Sequence, residues 1–408
     1  MADETSELRE RDIQGLKYFD KLVPLLHRLH DVGCVRDKAG NRKLHYDQYC
    51  MLVLLFLFNP TLRSLRALQQ ASRLKKVQRK LGCPRTSLGS LSEATDVFDP
   101  QRLDGILGHL LAQVPARGNV GRGVVPHVLT AVDGSVVKTL ASLAEAAYLS
   151  DKNGDSHSAW RFHTHFDMDR RVPTQMEVTV GVNSGKSEEK HHLRQRIKPD
   201  HCYVMDRWYS QFTLFNEIVA AGSSYVCRIR DNSNLSDIVE DRPLSEAARN
   251  AKVLGDVVVT LGATARANLR PDHGVRVVLV QATPHVKTGG RKGGTAGPPS
   301  DGILRIATNL LDVPAEIIAD IYRHRWAIEL FFRFFKHVLG CRHLLSTNPV
   351  GIQIQAYCAI IACLLISLWT GGRPTLRSYE MVCLYLQGWA DLDELTAHLE
   401  SLPCHTAE

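Results

Sequence analysis

The chain has 408 residues, 44% hydrophobic and 23% charged, the composition of an ordinary soluble globular protein of two or three domains with a sizeable core. Lys plus Arg (50) outnumber Asp plus Glu (43), giving a net charge of +7 and a mild lean towards a polyanionic partner. The ten cysteines form no CxxC pair and have no companion histidines at zinc-finger spacing, so reduced thiols are expected and a zinc finger is not.

The N-terminus, MADETSELRERD, is charged and lacks a secretory apolar region. From about Gly15 to Val114, apolar residues recur at three- and four-residue spacing, as in DKLVPLLHRLH and RLDGILGHLLAQV, which predicts helices. Between these lies LRSLRALQQASRLKKVQRKLG, with Arg63, Arg66, Arg73, Lys75, Lys76, Arg79 and Lys80 among helix formers. It reads either as a DNA-docking helical unit or as a solvated basic helix face. The apolar runs YCMLVLLFLF and AYCAIIACLLISLW fall short of the ~18–20 residues that span a bilayer, so buried helices are expected and no membrane partner.

Beyond the PARGNVGRG linker the pattern changes at Val124 to short β-branched runs. HVLTAVDGSVVKT, SAWRFHTHFD and MEVTVGV read as strands, the last two joined by a tight turn at MDRRVP. SEEKHHLRQRI then reads as a helix, CYVMDRWY as a strand and QFTLFNEIVAA as a helix. Three strands, helix, strand, helix is the chain order of a ribonuclease H-like core. A second β-rich stretch follows in SYVCRIR, VLGDVVVTLG, VRVVLVQATP and ILRIATNL. The glycine-rich KTGGRKGGTAGPPSDG reads as a loop whose Lys287, Arg291 and Lys292 suit phosphates, but it lacks the strand, GKS or GKT ending and helix of a P-loop.

The expected organisation is α/β: a helical N-terminal domain (1–120) for DNA-end binding, then the first part of a ribonuclease H-like core (121–222). A β-rich insertion (223–312), a core helix (313–345) and a C-terminal helical region (346–408) for dimerisation follow.

The core helix opens at Pro314, a residue suited to a first helical turn. At ~100° per residue, Tyr322, Arg325, Glu329, Arg333 and Lys336 fall on one stripe, opposite an apolar back that includes Phe331, Phe332, Phe334 and Phe335. Alone, this stripe also fits a surface ladder of Arg–Glu pairs. Asp133 in LTAVDGS and Asp206 in CYVMDRWY each fall at the expected end of an apolar strand, where a turn or cap is the plainer reading. Together with Glu329 they supply three hard oxygen ligands, the donor set that two divalent ions need when they stabilise the attacking and leaving oxygens of a phosphodiester.

YRHRWAIELFFRFFK reads Y-(2)-R-(3)-E-(6)-K and resembles the signature of bacterial insertion-sequence transposases of the "insertion sequence four" family. AVDGS and VMDRWY are similar to that family's two aspartate blocks. The resemblance runs from about Val124 to Gly340 and implies a DDE transposase in which Asp133, Asp206 and Glu329 are catalytic and hold two Mg²⁺ ions, with Mn²⁺ substituting. It also implies that Tyr322, Arg325 and Lys336 contact transposon-end DNA, and Arg333 and Arg207 are further candidates. The implied partners are double-stranded DNA, as terminal inverted repeats and target, and a second copy of the chain in a synaptic complex. The implied setting is the bacterial cytoplasm, at the nucleoid. Some family members form a hairpin with help from an aromatic residue of the insertion; here no Trp lies between Trp208 and Trp326, so that step stays open. A ribonuclease H-fold nuclease that cuts without joining, and a relic that only binds DNA, are the alternatives. Arg161, His163, His165 and Asp167 share a strand face and read as a metal site or, more plainly, as a polar face. His191 and His192 point apart on their helix.

Overall fold

In the computed structural model, helices precede, interrupt and follow one large sheet. The structure describes residues 17–402 apart from 33–35, 39, 117, 119–120, 122, 140–146, 151–155, 182–187, 236, 263–265, 267–268, 283–301, 342 and 372. Lys287, Arg291 and Lys292 lie outside the described residues, as do Cys34 and Cys404. The other cysteines are buried free thiols.

The helical part comprises α1 (Lys17–His27), α2 (Tyr46–Leu57), α3 (Leu65–Ala71), α4 (Lys75–Leu81), α5 (Leu88–Val97) and α6 (Asp104–Gln113). Serine caps begin two of them: Ser64 accepts from the Ala67 N–H and Ser87 from the Ser90 N–H. The basic run folds as α3 and α4, and its Arg63, Arg66, Arg73, Lys75, Lys76 and Arg79 are all exposed. By contrast α2 is apolar around most of its circumference, and nine of its twelve residues are buried.

The strands are β1 (Val128–Thr139), β2 (Ala147–Ser150), β3 (Ser156–Asp167), β4 (Val172–Val180), β5 (His201–Met205), β6 (Ser224–Arg228), β7 (Ile238–Asp241), β8 (Val253–Val259), β9 (Val275–Gln281) and β10 (Ile303–Thr308). They form one sheet in the order β2-β3-β1-β5-β6-β10-β9-β8-β7, with β4 also on β3. β3 is antiparallel to β1 and β4, whereas β1, β5 and β6 run parallel. Parallel neighbours need a crossover. The helix α7 (Glu189–Gln195) lies between β4 and β5, and α8 (Phe212–Ala220) joins β5 to β6.

The 223–312 stretch, expected as an insertion, hydrogen-bonds into this same sheet. Its first strand, β6, is the parallel neighbour of β5, and β10 returns antiparallel to β6 at Thr308↔Val226. Hydropathy marks a strand but does not name its partner, so the sequence pattern left this continuity unseen.

After β7 come α9 (Glu246–Asn250), α10 (Ala315–His324), α11 (Trp326–Arg333), α12 (Pro349–Thr370), α13 (Leu376–Gln387) and α14 (Leu392–Ser401). The single core helix expected from Pro314 is therefore broken. Arg325 separates α10 from α11 with two three-residue backbone bonds, Arg325 N to Tyr322 O and Ile328 N to Arg325 O. At its far end Phe334–Val338 widens into a π-turn, where the Leu339 N–H reaches Phe334 O at 3.0 Å.

The 22-residue α12 exceeds its apolar run and is long and apolar enough to cross a membrane, yet 89% of its most apolar window is buried inside this fold. Asn348 caps it and Gly371, at φ 62°, ends it. It packs against β4, α2 and α6, so helices from both ends of the chain share one core. Gln353 locks it to the edge of the sheet, donating to Met176 O at 2.6 Å and accepting from Val178 N at 2.8 Å. Those β4 groups would otherwise be an unpaired edge. The opposite face carries a second core with Val132, Tyr203, Met205, Phe215 and Tyr225, covered by α7 and α8.

Candidate active site

Asp133 and Asp206 meet because of strand register. The parallel ladder between β1 and β5 ends at the pair Val132↔Met205, and each aspartate is the next residue along its strand. Val132 and Met205 point into the second core, so the period-two alternation of strands turns Asp133 and Asp206 away from it. The sequence reading placed Asp133 at a strand end. β1 in fact continues to Thr139, held by β3 with Asp133 opposite Thr164, and only the parallel half of its pairing stops there. Asp206 does end its strand: it caps a short 3₁₀ turn, accepting from the Trp208 N–H at 2.8 Å.

Glu329 arrives from α11, joined through Arg325. One guanidinium nitrogen lies 2.7 Å from Glu329 Oε1 and the other 3.7 Å from Asp133 Oδ2. The break at Arg325 turns its side chain inward, to 13% exposure, with the Tyr322 ring 5.9 Å away. Burial alone would lower the Arg325 guanidinium, but Tyr322, Asp133 and Glu329 raise it above its ordinary value. Burial also pushes the Tyr322 phenol up to about 12.

A fourth carboxylate belongs to this neighbourhood, and the sequence reading missed it. Glu189, at the start of α7, is buried, ion-paired with Arg161 and hydrogen-bonded by the buried Tyr209. A Cβ on residue 134 would collide with its carboxylate, so the Gly134 position requires glycine for that close approach. The signal was a glycine inside a strand, directly after Asp133. Burial raises Glu189 above the ordinary carboxylate range, Arg161 opposing it.

Asp133 itself is pushed up to about 7, first by burial and then by Asp206 and Glu189, with Arg325 and the Gly134 N–H pulling the other way. The cluster is thus short of positive charge. Its donors are all hard carboxylate oxygens, which suits a divalent cation such as Mg²⁺, and a bound cation would relieve the repulsion that raises Asp133. The donor chemistry fits such a group, while no three of these carboxylates have ligand atoms within 4.8 Å of one another among the described residues.

Lys336 donates to Val136 O at 2.7 Å and so ties the π-turn to β1, three residues past Asp133; burial lowers its ammonium while Asp133 opposes that shift. Arg333, one turn past Glu329 on the same helix, lies over Trp326 at 5.6 Å and lines an apolar groove with Arg323, Arg171 and Arg373. Arg207 is half-exposed and faces Asp231 at 3.9 Å. On the RFHTHFD face, burial lowers His163 and His165 to about 3; His163 Nε2 lies 2.8 Å from Thr179 Oγ1, and its ring stacks on His192 at 4.1 Å. Asp167 caps its own turn and pairs with Arg170. This face is structural polar packing rather than a cluster of converging ligand atoms.

A family model described as "Transposase DDE domain" matches residues 126–365, well over half of the chain. The chain belongs to that family. The matched span begins just before β1 and ends inside α12, so it contains Asp133, Asp206 and Glu329 together with the strands that extend the sheet. Members of the family generally use divalent metal ions. Among curated proteins, the chain is 27% identical over 207 residues to "Probable transposase for insertion sequence element IS5377" of Geobacillus stearothermophilus, covering 50% of this chain and 48% of that one. It is 26% identical over 233 residues to "Putative transposase y4zB" of Sinorhizobium fredii, covering 55% and 59% respectively. A shorter match, 41% over 72 residues, covers 16% of this chain and 21% of "Putative transposase for insertion sequence element IS4SA" of Synechocystis. The chain thus spans about half the length of the first curated relatives it matches. The solved synaptic complex of piggyBac transposase with hairpin DNA aligns over 99% of this chain and 84% of its own at TM-score 0.41 and 8% identity, too distant to bear on function.

Proposed function

We propose that this chain is an insertion-sequence transposase that cuts DNA at the ends of its own element and joins them to target DNA. One observation carries the reading: two aspartates follow an in-register pair on adjacent parallel strands, and Arg325 ties the first of them to Glu329. The order β4-β3-β1-β5-β6, with the last three strands parallel, supports a ribonuclease H-like core. The Y-(2)-R-(3)-E-(6)-K spacing supports the "insertion sequence four" type.

Asp133, Asp206 and Glu329 would hold two Mg²⁺ ions, with Mn²⁺ as a substitute. When bound, these would stabilise charge on the attacking and leaving oxygens of an in-line displacement. The protein supplies position. Strand register fixes the two aspartates, while the buried backs of α10 and α11, including Ile318, Ile321, Ile328, Phe331 and Phe332, fix Glu329. Arg325, held between Glu329 and Asp133, would offer its planar fork to a phosphate. Tyr322 and Lys336 frame the same opening. The exposed cations of α3 and α4 suit recognition of the inverted repeat, with Trp208 and Trp326, 50% and 40% exposed, as stacking surfaces if a hairpin forms. A second copy of the chain is the expected partner in the synaptic complex.

The test is Mg²⁺-dependent cleavage of a duplex carrying the element's ends, resolved on a denaturing gel, with Glu329→Gln beside the wild type. Discrete cuts at the boundary, a loss of about 10³-fold or more in the variant and retained DNA binding are expected. Equal cleavage by Glu329→Gln sinks the third carboxylate. Cuts without joined products indicate the nuclease reading, and binding without cuts in Mg²⁺ or Mn²⁺ indicates a DNA-binding relic.

A further inference from the structure

Away from the sheet, the helical part gathers a second set of ligating atoms. His27 ends α1, His30 follows one turn later, His45 caps α2 and Asp47 lies in its first turn. His30 Nδ1 lies 3.0 and 2.9 Å from the two Asp47 oxygens, and His27 Nδ1 lies 3.6 Å from Asp47 Oδ2. Ligand atoms of His27, His30 and Asp47 all lie within 4.8 Å of one another, and an overlapping group contains His30, Asp31 and His45.

An ion pair between His30 and Asp47 accounts for one of these contacts. It does not account for His27 turning towards the same carboxylate oxygen. Nor does it account for His45, whose ring stacks on His30 at 3.7 Å and 10° while its Nδ1 donates to the His30 carbonyl at 3.2 Å. Zinc bonds of 2.0–2.2 Å set tetrahedral ligand atoms about 3.3 Å apart. The observed 2.9 and 3.6 Å separations bracket that spacing.

We propose that His27, His30 and Asp47 bind one Zn²⁺ ion, with solvent at the fourth position and His45 as the positioning residue that orients His30. Binding replaces the proton that His30 Nδ1 shares with Asp47, and that proton leaves to solvent. The ion fastens the exit of α1 to the entry of α2, the core helix that packs on α12. Its role is to hold the helical part in shape, separately from the carboxylate cluster beside the sheet. Sequence spacing did not disclose it, because the histidines and the aspartate converge from two helices rather than from a zinc-finger motif.

The test is a Zn²⁺ titration of the full chain in excess Mg²⁺, competed against a chromophoric chelator, with Co²⁺ absorption as the reporter of tetrahedral coordination. One Zn²⁺ per chain is expected, with visible tetrahedral Co²⁺ bands. His27→Ala and His30→Ala should each weaken Zn²⁺ at least about tenfold, and His45→Ala about tenfold. His27 is 73% exposed, so its variant keeps the fold and reports ligation alone. Glu329→Gln should bind Zn²⁺ as the wild type does. Absence of Zn²⁺ binding by the folded wild type, or unchanged affinity in His27→Ala, overturns the proposal.

Discussion

Arg276 and Arg325 each face a carboxylate carried by the same sheet, in opposite surroundings. Arg276 is buried on β9 and grips Asp256 of β8 with two 2.7 Å bonds, while its remaining nitrogen reaches the carbonyls of Leu310, Leu311 and Val313. All three nitrogens of that guanidinium are engaged, and the pair welds the outer strands to the chain leading into α10. Arg325 is stretched between Glu329 at 2.7 Å and Asp133 at 3.7 Å, beside further carboxylates that it does not neutralise. A closed ion pair fixes a fold; an open, under-compensated one keeps capacity for a cation or a phosphate.

The largest effect that could break this contrast is on stability. Asp256→Asn leaves the buried Arg276 charge without its partner and should cost about 3–5 kcal/mol, read as a lower denaturation midpoint. If it costs no more than a surface substitution, the outer pair is not the weld described here. Arg325→Lys sharpens the other side: it keeps the charge but loses the fork, so cleavage should fall about 10²-fold while stability moves by about 1 kcal/mol or less. A stability loss matching that of Asp256→Asn would make Arg325 structural.

A further effect concerns pH in metal-free protein. Asp133 is raised from 3.8 to about 7, so between those values the folded chain holds a proton that the unfolded chain has released. Stability from this group therefore falls as pH rises through that window and levels off above it. Denaturation midpoints measured in chelator should show that slope in the wild type and a flatter one in Asp133→Asn. A wild-type slope of opposite sign would show that other groups outweigh Asp133.

Much of the site was legible because its chemistry lies in short local patterns. An aspartate directly after an apolar strand run, and cations spaced along one helix around Glu329, can be read without knowing what touches what. The breaks were less legible. Arg325 parts α10 from α11 and the π-turn shifts the phase beyond Arg333, so the one helix read from Pro314 is three segments, and Lys336 lies past the last break. Glu189 was missed for a related reason: it begins a short helix 56 positions from Asp133 in a charged stretch that looks like any solvated helix start.

The sequence by itself determined the main strands and helices of the core, their order and the three carboxylates around which the proposal is built, because periodicity and local spacing are properties of neighbours along the chain; the short strands β2 and β7 and the short helix α9 escaped it. Only the tertiary structure decided that the β-rich stretch extends the same sheet, that α12 is buried between β4 and the N-terminal helices, and which cations lie beside which acids. Those outcomes depend on which surfaces are buried together, and a contact between distant residues leaves no period in the sequence to read.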